Sequence, residues 1–396
     1  MPIMPVTSTT MSDLIFVSLE DWDEVWRRNQ FLCAGLARRF PDRKILFVGL
    51  PRDVSHGLRR GRLGALRAAP LEAVPEHPNV TLLRPLKVFP NTLSWGRWAN
   101  EALARRQVRR AAQALGIMRP LLWLNPHSAV HMAGRMGERG VVYDITDDWI
   151  SPIQSDRMRR LTTAQDAALC READAVIVCS QKLLDMKRPL ARRLFLVPNG
   201  VEADHYRSVL NADGPRPEAA AVWRRPVFGY AGTVHPERVD VALVERLARS
   251  FPHGTVALVG PDLLSPADRA RLDALGNVVR TGPVPYHCLP DYMRAFDVCV
   301  TPHCMSEFTE SLNPIKLWEY LAAGKPIVST DVAGFRDYPQ FVHLAAGPDA
   351  FVVACHNALR EPSATGAARQ VEAQKHTWDV RLDCILSIME GLGDAP

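Results

Sequence analysis

Residues 310–330, ESLNPIKLWEYLAAGKPIVST, constrain the fold of this chain more than any other stretch. Polar residues lead into a helical pattern, Gly324-Lys325-Pro326 breaks it, and an apolar strand follows at once. That order is half of a βαβ unit of a parallel sheet. Asn313 is placed as the helix N-cap and Pro314 as the first helical residue, where a missing N–H costs nothing. The free N–H groups and positive dipole end of such a helix favour phosphate. Leu317, Tyr320 and Leu321 share a side directed at the core, and Lys316 and Glu319, three residues apart, share another. A cation for phosphate and a carboxylate for ribose hydroxyls, beside a helix N-terminus, describe a nucleotide-sugar site. The plainer reading is a surface ion pair on an ordinary helix.

The same alternation runs through the chain twice. A strand is expected at Leu14–Leu19, then a loop, a helix ending near Phe40, and a strand at Ile45–Val48, the sequence of a parallel βαβ unit. A helix near 95–115, a strand at Leu121–Leu124, a helix near 128–138 and a strand at Val141–Asp144 follow. That last strand ends in Asp144 and runs into Asp147 and Asp148, and all three lie where open α/β sheets place their ligands. One carboxylate there is suited to orient an acceptor hydroxyl; a helix N-cap is the duller alternative. The strand AVIVCS and the turn Pro198-Asn199-Gly200 close this half, with Gly200 free to take positive φ. From residue 226 the pattern restarts with VFGYAG, a helix over 239–250 and the strand TVALVG. A striped helix, with Trp378, Leu382, Ile385 and Met389 on one side, ends the chain. The 396 residues suffice for two domains. The expected division has a disordered leader at 1–12 and a linker at 207–225. The family resemblance set out below implies that 13–206 is an acceptor-side Rossmann-like domain, 226–370 a Rossmann-like nucleotide-sugar domain and 371–396 a crossing helix.

Several classes are excluded. No run of 18 or more apolar residues appears, so no transmembrane helix is expected, and residues 1–12 lack a signal-peptide pattern. The eight cysteines lack CxxC spacing, which argues for reduced thiols in a cytosolic protein and against a zinc site. Residues 1–205 hold 30 Lys and Arg against 21 Asp and Glu, the remainder 18 against 22. A basic first half suits an anionic membrane face or acceptor, or simply Arg-rich helices with solvated faces, whereas no nucleic-acid-binding signature accompanies the charge. The long Pro-, Arg- and Gly-rich connection over 50–92 reads either as an acceptor or membrane-facing loop or as a solvated insertion. Asp21-Trp22-Asp23 has Asp-x-Asp spacing, but its place after the first strand favours an acceptor-side loop, with Trp26, over a metal site.

Glu319 and the EYLAAGKPIVST that contains it resemble the donor-site signature of GT-B retaining glycosyltransferases of the family-four group, and NPIKLWEYLAAGKP resembles a bacterial sub-branch tied to cell-envelope polysaccharides. ADAVIVCSQ and VPNGVEADHY resemble the end of the first GT-B domain, and GPVPYHCLPDYMRAFDV the wall of the base pocket. The resemblance spans about residues 13–390 and implies two Rossmann-like doubly wound domains facing across a cleft, with the C-terminal helix crossing back. It implies that Glu319 accepts ribose hydroxyls and that Val284 lines the base. Where the family has a Gly-Arg-x4-Lys pattern, this chain has Gly232, Thr233 and Arg238, so Arg238 and Lys316 carry the diphosphate charge. N–H groups around Asn313, Pro314 and Ile315 add to it. The family's first Glu is replaced by Ser311, with Glu310 one step earlier, and one of these positions the donor sugar.

The implied function is transfer of a sugar, with retention and without metal or cofactor, from a nucleotide-sugar, UDP by family preference. The acceptor is a saccharide or lipid-linked species in cell-envelope synthesis, and the place is the cytoplasm or the inner membrane face. The alternatives are a small-molecule natural-product acceptor, a hydrolysing epimerase, and a catalytically silent GT-B partner subunit. The silent reading draws on the missing first Glu and on Thr233.

Overall fold

The computed structural model describes residues 11–54, 70–150, 155–211 and 213–392. The expected leader, apart from Met11 and Ser12, and the basic stretch 56–67 lie outside these residues. The chain divides into two compact units. The first holds the described residues to Asp23, Arg27–Val197, and those from Leu382 on; the second holds Glu24–Trp26 and Pro198–Arg381.

In the first unit the strands are β1 (Leu14–Val17), β2 (Ile45–Val48), β3 (Arg52–Asp53), β4 (Glu72–Val74), β5 (His77–Leu83), β6 (Leu86–Lys87), β7 (Leu121–Leu124), β8 (Gly140–Ile145), β9 (Ala175–Val178) and β10 (Leu194–Leu196). Eight of them form one sheet in the order β10-β9-β8-β7-β1-β2-β5-β4. All its pairings are parallel except β4 with β5. The runs LIFV, ILFV, LLWL and AVIV are buried at every position. Strands covered by helices on both faces carry such continuous apolar runs rather than alternation. Residues 50–92, expected as a connection, supply four strands, two of which extend the sheet edge. The helix expected over 128–138 shrinks to a 3₁₀ segment at His127–His131.

The second unit has β11 (Val227–Ala231), β12 (Thr255–Val259), β13 (Val278–Gly282), β14 (Val298–Thr301), β15 (Ile327–Thr330) and β16 (Val342–Ala345). They form an all-parallel sheet in the order β13-β12-β11-β14-β15-β16. Residues 207–225, read as a linker, bury Val209, Ala220 and Trp223 in this unit's core. Arg294 fastens the segment by donating to Ser208 Oγ at 3.1 Å and to the carbonyl of Pro215. Three isolated apolar residues without a period give no sequence signal of packing.

Two glycines are fixed by their surroundings. Gly324 ends the helix Ile315–Ala323 with φ +70, a left-handed cap that favours glycine. Gly200, expected at positive φ, does not adopt one. It is required because the backbone of 376–378 passes so close that a β-carbon would lie 2.9 Å from Trp378 N.

Candidate functional site

In an open parallel sheet, ligands bind beyond the strand C-termini where the strand order reverses. In the second unit that point lies between β11 and β14, which are neighbours although β12 and β13 intervene in sequence. Gly232 follows β11, and Pro302 and His303 follow β14. The helix Ile315–Ala323, between β14 and β15, adds Lys316 and Glu319. Tyr320 anchors that helix, its hydroxyl accepting the Ala231 N–H at 2.8 Å.

Gly232 has φ +135, and a β-carbon there would lie 2.3 Å from Lys316 Cε and 2.6 Å from Nζ. The absent side chain is the space the lysine occupies. Lys316 Nζ lies 5.1 Å from the centre of the Tyr230 ring, a cation–π contact that holds the ammonium without neutralising it. Among the described residues it forms no salt bridge. Arg238 is placed by a second aromatic, its guanidinium carbon 5.2 Å from the centre of Phe308. Its carbonyl accepts from Cys304 N at 2.7 Å, tying this loop to the segment after β14. Thr233 accepts the Tyr230 hydroxyl on its carbonyl at 3.0 Å.

Glu319 is buried and accepts the Tyr206 hydroxyl on Oε1 at 2.9 Å. Burial raises its pKa, while the Tyr206 hydrogen bond and the Lys316 charge pull it back down. Tyr206 belongs to a ring cluster with His205 and Tyr286, the latter two stacked at 4.3 Å. His205 Nε2 lies 3.1 Å from the Tyr286 carbonyl. Trp26, expected on the acceptor side, belongs to the second unit and stacks on Tyr286 at 5.9 Å, two residues from Val284. Glu24 O accepts the Tyr286 N–H at 3.0 Å and holds that segment in place. Nothing in the local sequence signals a pairing across 260 positions.

The helix start is displaced by one residue from expectation. Pro314 takes the cap position and Ile315 begins the helix. Asn313 is engaged elsewhere: its Oδ1 accepts Asn199 N at 2.8 Å, and Asn199 Nδ2 donates to its carbonyl at 2.5 Å. The Pro-Asn-Gly turn thus positions the N-terminal end of the helix. Glu310 and Ser311 lie on a 3₁₀ turn before it. Arg336 grips Glu310 with two bonds of 2.9 and 3.1 Å. Ser311 is fully buried and donates its hydroxyl to Phe308 O at 2.7 Å.

His303 had no place in the sequence reading. Its side chain is buried, and neither ring nitrogen has a hydrogen-bond partner among the described residues. Burial holds its pKa well below 6.5, reinforced by the charges of Lys316 and Arg238. A neutral imidazole therefore lies beside both cations.

The first unit has its own reversal point, between β1 and β7. Ser18 and Asn125 follow these strands, and Asn29 Nδ2 donates to both, at 2.9 and 2.8 Å. Beside them Arg28 donates from Nε and Nη2 to Asp144 at 3.0 Å, with both side chains buried. The other expected acceptor-side carboxylates are largely committed to structure. Asp21 Oδ1 accepts from Leu50 N and Arg84 Nε. Asp148 Oδ1 accepts from Ile150 N in its own turn. Asp147 is half-buried. Among the described residues no cluster of three His, Cys, Asp or Glu side chains is placed to hold a metal ion. No helix among them is long and apolar enough to cross a membrane.

Residues 225–361 match the family model described as Glycosyl transferases group 1. Over 236 residues the chain is 29% identical to TuaH of Bacillus subtilis, provisionally named a teichuronic acid biosynthesis glycosyltransferase. That match takes in 55% of this chain and 58% of the relative's length. Among solved structures, sucrose-phosphate synthase from Thermosynechococcus elongatus superposes with a TM-score of 0.72 at 16% identity, covering 97% of this chain and 100% of the other. HepE of Anabaena, in complex with UDP and glucose, gives 0.65 at 17% identity, with 97% and 100% covered. A UDP-forming α,α-trehalose-phosphate synthase from Burkholderia vietnamiensis gives 0.69 at 14%, with 97% and 98% covered. The chain therefore has the GT-B fold of doubly wound parallel sheets, and its second sheet lies within a segment matching a group 1 glycosyltransferase domain.

Proposed function

We propose that this protein is a retaining, metal-independent glycosyltransferase that moves a sugar from a UDP-sugar to a saccharide or lipid-linked acceptor in cell-envelope polysaccharide synthesis. It works on the inner face of the cytoplasmic membrane. The observation that carries the reading is the placement of Lys316 in the space left by Gly232, at a sheet reversal point and one turn before the buried Glu319. A UDP-bound structure with the same fold and a relative named for teichuronic acid synthesis support the donor and the pathway class.

In this mechanism the acceptor oxygen bonds to the anomeric carbon as the bond from that carbon to the diphosphate breaks. The electron pair leaves with UDP, and the acceptor proton passes to the departing phosphate. Charge grows on the diphosphate, where Lys316, Arg238 and the N–H groups from Asn313 and Ile315 oppose it. Protein cations thus take the part a divalent ion would otherwise play. Gly232 and Thr233 give the diphosphate a close backbone approach, Glu319 accepts from the ribose, and Val284 with Tyr286 borders the base. Glu310, on its Arg336 fork, is the better placed of the two candidates for the sugar hydroxyls, because Ser311 has already spent its proton. The acceptor is assigned to the reversal point of the first unit, with Asp147 as the carboxylate that orients it.

Titration calorimetry with UDP, GDP, TDP and ADP, with and without EDTA, tests this. Binding of one nucleotide, insensitive to EDTA and lost in Glu319→Ala, is the expected result. Failure of all four to bind overturns the enzyme reading in favour of a silent partner subunit.

A further inference from the structure

We propose that the outward face of the helix Ser94–Ala114 is a docking surface for anionic phospholipid headgroups. This assignment rests on the reading of a membrane-held acceptor and names the surface that reading requires.

At about 100° per residue, Trp95, Trp98, Arg105, Arg106, Arg109 and Gln113 fall within one strip about 100° wide. The buried residues Gly96, Asn100, Val108, Ala111 and Ala112 occupy the opposite arc. Leu93, Trp95 and Trp98 are 46%, 57% and 67% exposed, a concentration of large apolar side chains at one end of the helix. The arginines gather at the other end, and Arg110 flanks them.

The platform is built rather than loose. A β-carbon on Gly96 would lie 2.6 Å from Pro90 O, so the helix presses directly on the preceding loop. Asn100 closes the same junction, accepting from Val88 N and Phe89 N and donating to Phe89 O. On that locked side Trp95 rests against Phe89, ring centres 5.2 Å apart, and both tryptophans stay more than half exposed. Arg105 donates to His131 O at 3.3 Å, and Arg109 donates to Arg135 O. Carbonyl partners orient these guanidiniums without cancelling their charge. The helix's one acid, Glu101, lies off the strip, faces Arg97 at 3.9 Å and is also drawn to Arg105, which leaves Arg106, Arg109 and Arg110 to carry most of the strip's positive charge.

Indoles beside a leucine, continuous with arginines on a single helix face, match the boundary between acyl chains and anionic headgroups. A nucleic acid would use the arginines but leave Leu93 without a function.

Flotation of the full chain with vesicles tests the assignment, using phosphatidylcholine alone and phosphatidylcholine with phosphatidylglycerol. Binding to the anionic vesicles only, weakened by salt, is expected. Arg106→Glu with Arg110→Glu lowers partitioning by at least about tenfold. Trp98→Ala lowers it in low and high salt alike. UDP affinity and melting temperature, measured on the same variants, stay at the wild-type values. Wild-type binding with all variants, equal binding to neutral vesicles, or no binding each overturns the proposal. So does a concentration-dependent dimer, or an oligonucleotide complex with no vesicle binding, abolished by Trp98→Ala. Because UDP titration is read separately, a lost nucleotide site with intact flotation refutes the enzyme reading instead.

Discussion

Gly232→Ala is the sharpest test of the donor site, because a single methyl group acts on two separable quantities. The first is backbone strain. At φ +135 an L-residue is disfavoured whatever space surrounds it, and such strain costs about 1–3 kcal/mol. For a unit of this size the melting temperature falls by about 2–4 °C per kcal/mol, or about 2–12 °C in all. The second is displacement. The new methyl would stand 2.3 Å from Lys316 Cε, so the flexible lysine must leave its place against Tyr230. Losing one charge-assisted bond to the diphosphate costs about 1.5–3 kcal/mol, or about ten- to a hundredfold in UDP affinity. Lys316→Met separates the effects, since it keeps the aliphatic stem and the glycine. It should show the affinity loss with little change in melting. Calorimetric titration and thermal melts on the two variants decide the matter. Wild-type UDP affinity in both would refute the reasoning, because Lys316 would then not touch the nucleotide.

Tyr206→Phe removes the hydroxyl that lowers the Glu319 pKa, so the carboxyl should titrate at higher pH still. Glu319 holds its proton more tightly folded than unfolded. Folding therefore loses stability as pH rises from the usual glutamate value of 4.5 through the raised native one, whereas UDP binding through the proposed ribose contact should weaken as pH falls through it. A pH series of UDP titrations should show the variant losing affinity at higher pH than wild type; coincident profiles would count against the ribose role. Asp144→Ala removes the carboxylate that Arg28 grips in a buried place, and breaking such a pair costs about 3–5 kcal/mol. Chemical denaturation should register that loss, and Arg28→Met with Asp144→Leu should recover most of it. Arg336→Gln releases Glu310 from its two-pronged grip. UDP affinity should hold while the KM for the intact UDP-sugar rises about tenfold, and an unchanged KM would remove Glu310 from the sugar site.

What the sequence revealed, and what it withheld, follows from the range of the interactions involved. Strands buried on both faces must be apolar at every position, so LIFV, LLWL and AVIV were recognisable without partners. Lys316 and Glu319 were legible because three residues on a helix fix their proximity. The groups that surround them were not. Tyr206 reaches Glu319 across 113 positions, and Trp26 meets Tyr286 only because residues 24–26 belong to the second unit. His303 is an ordinary residue in an ordinary strand end until β14 is seated beside β11. Asn313 is not the helix cap that the sequence suggests: helix capping is local, whereas its bond to Asn199 depends on the Pro-Asn-Gly turn arriving from 114 positions away. Gly200 makes the same point in reverse. Its identity as glycine is dictated, but by the backbone of 376–378 rather than by its own φ. Local chemistry names the residues that can bind a nucleotide; the order of strands in the sheet decides which of them are available to do so.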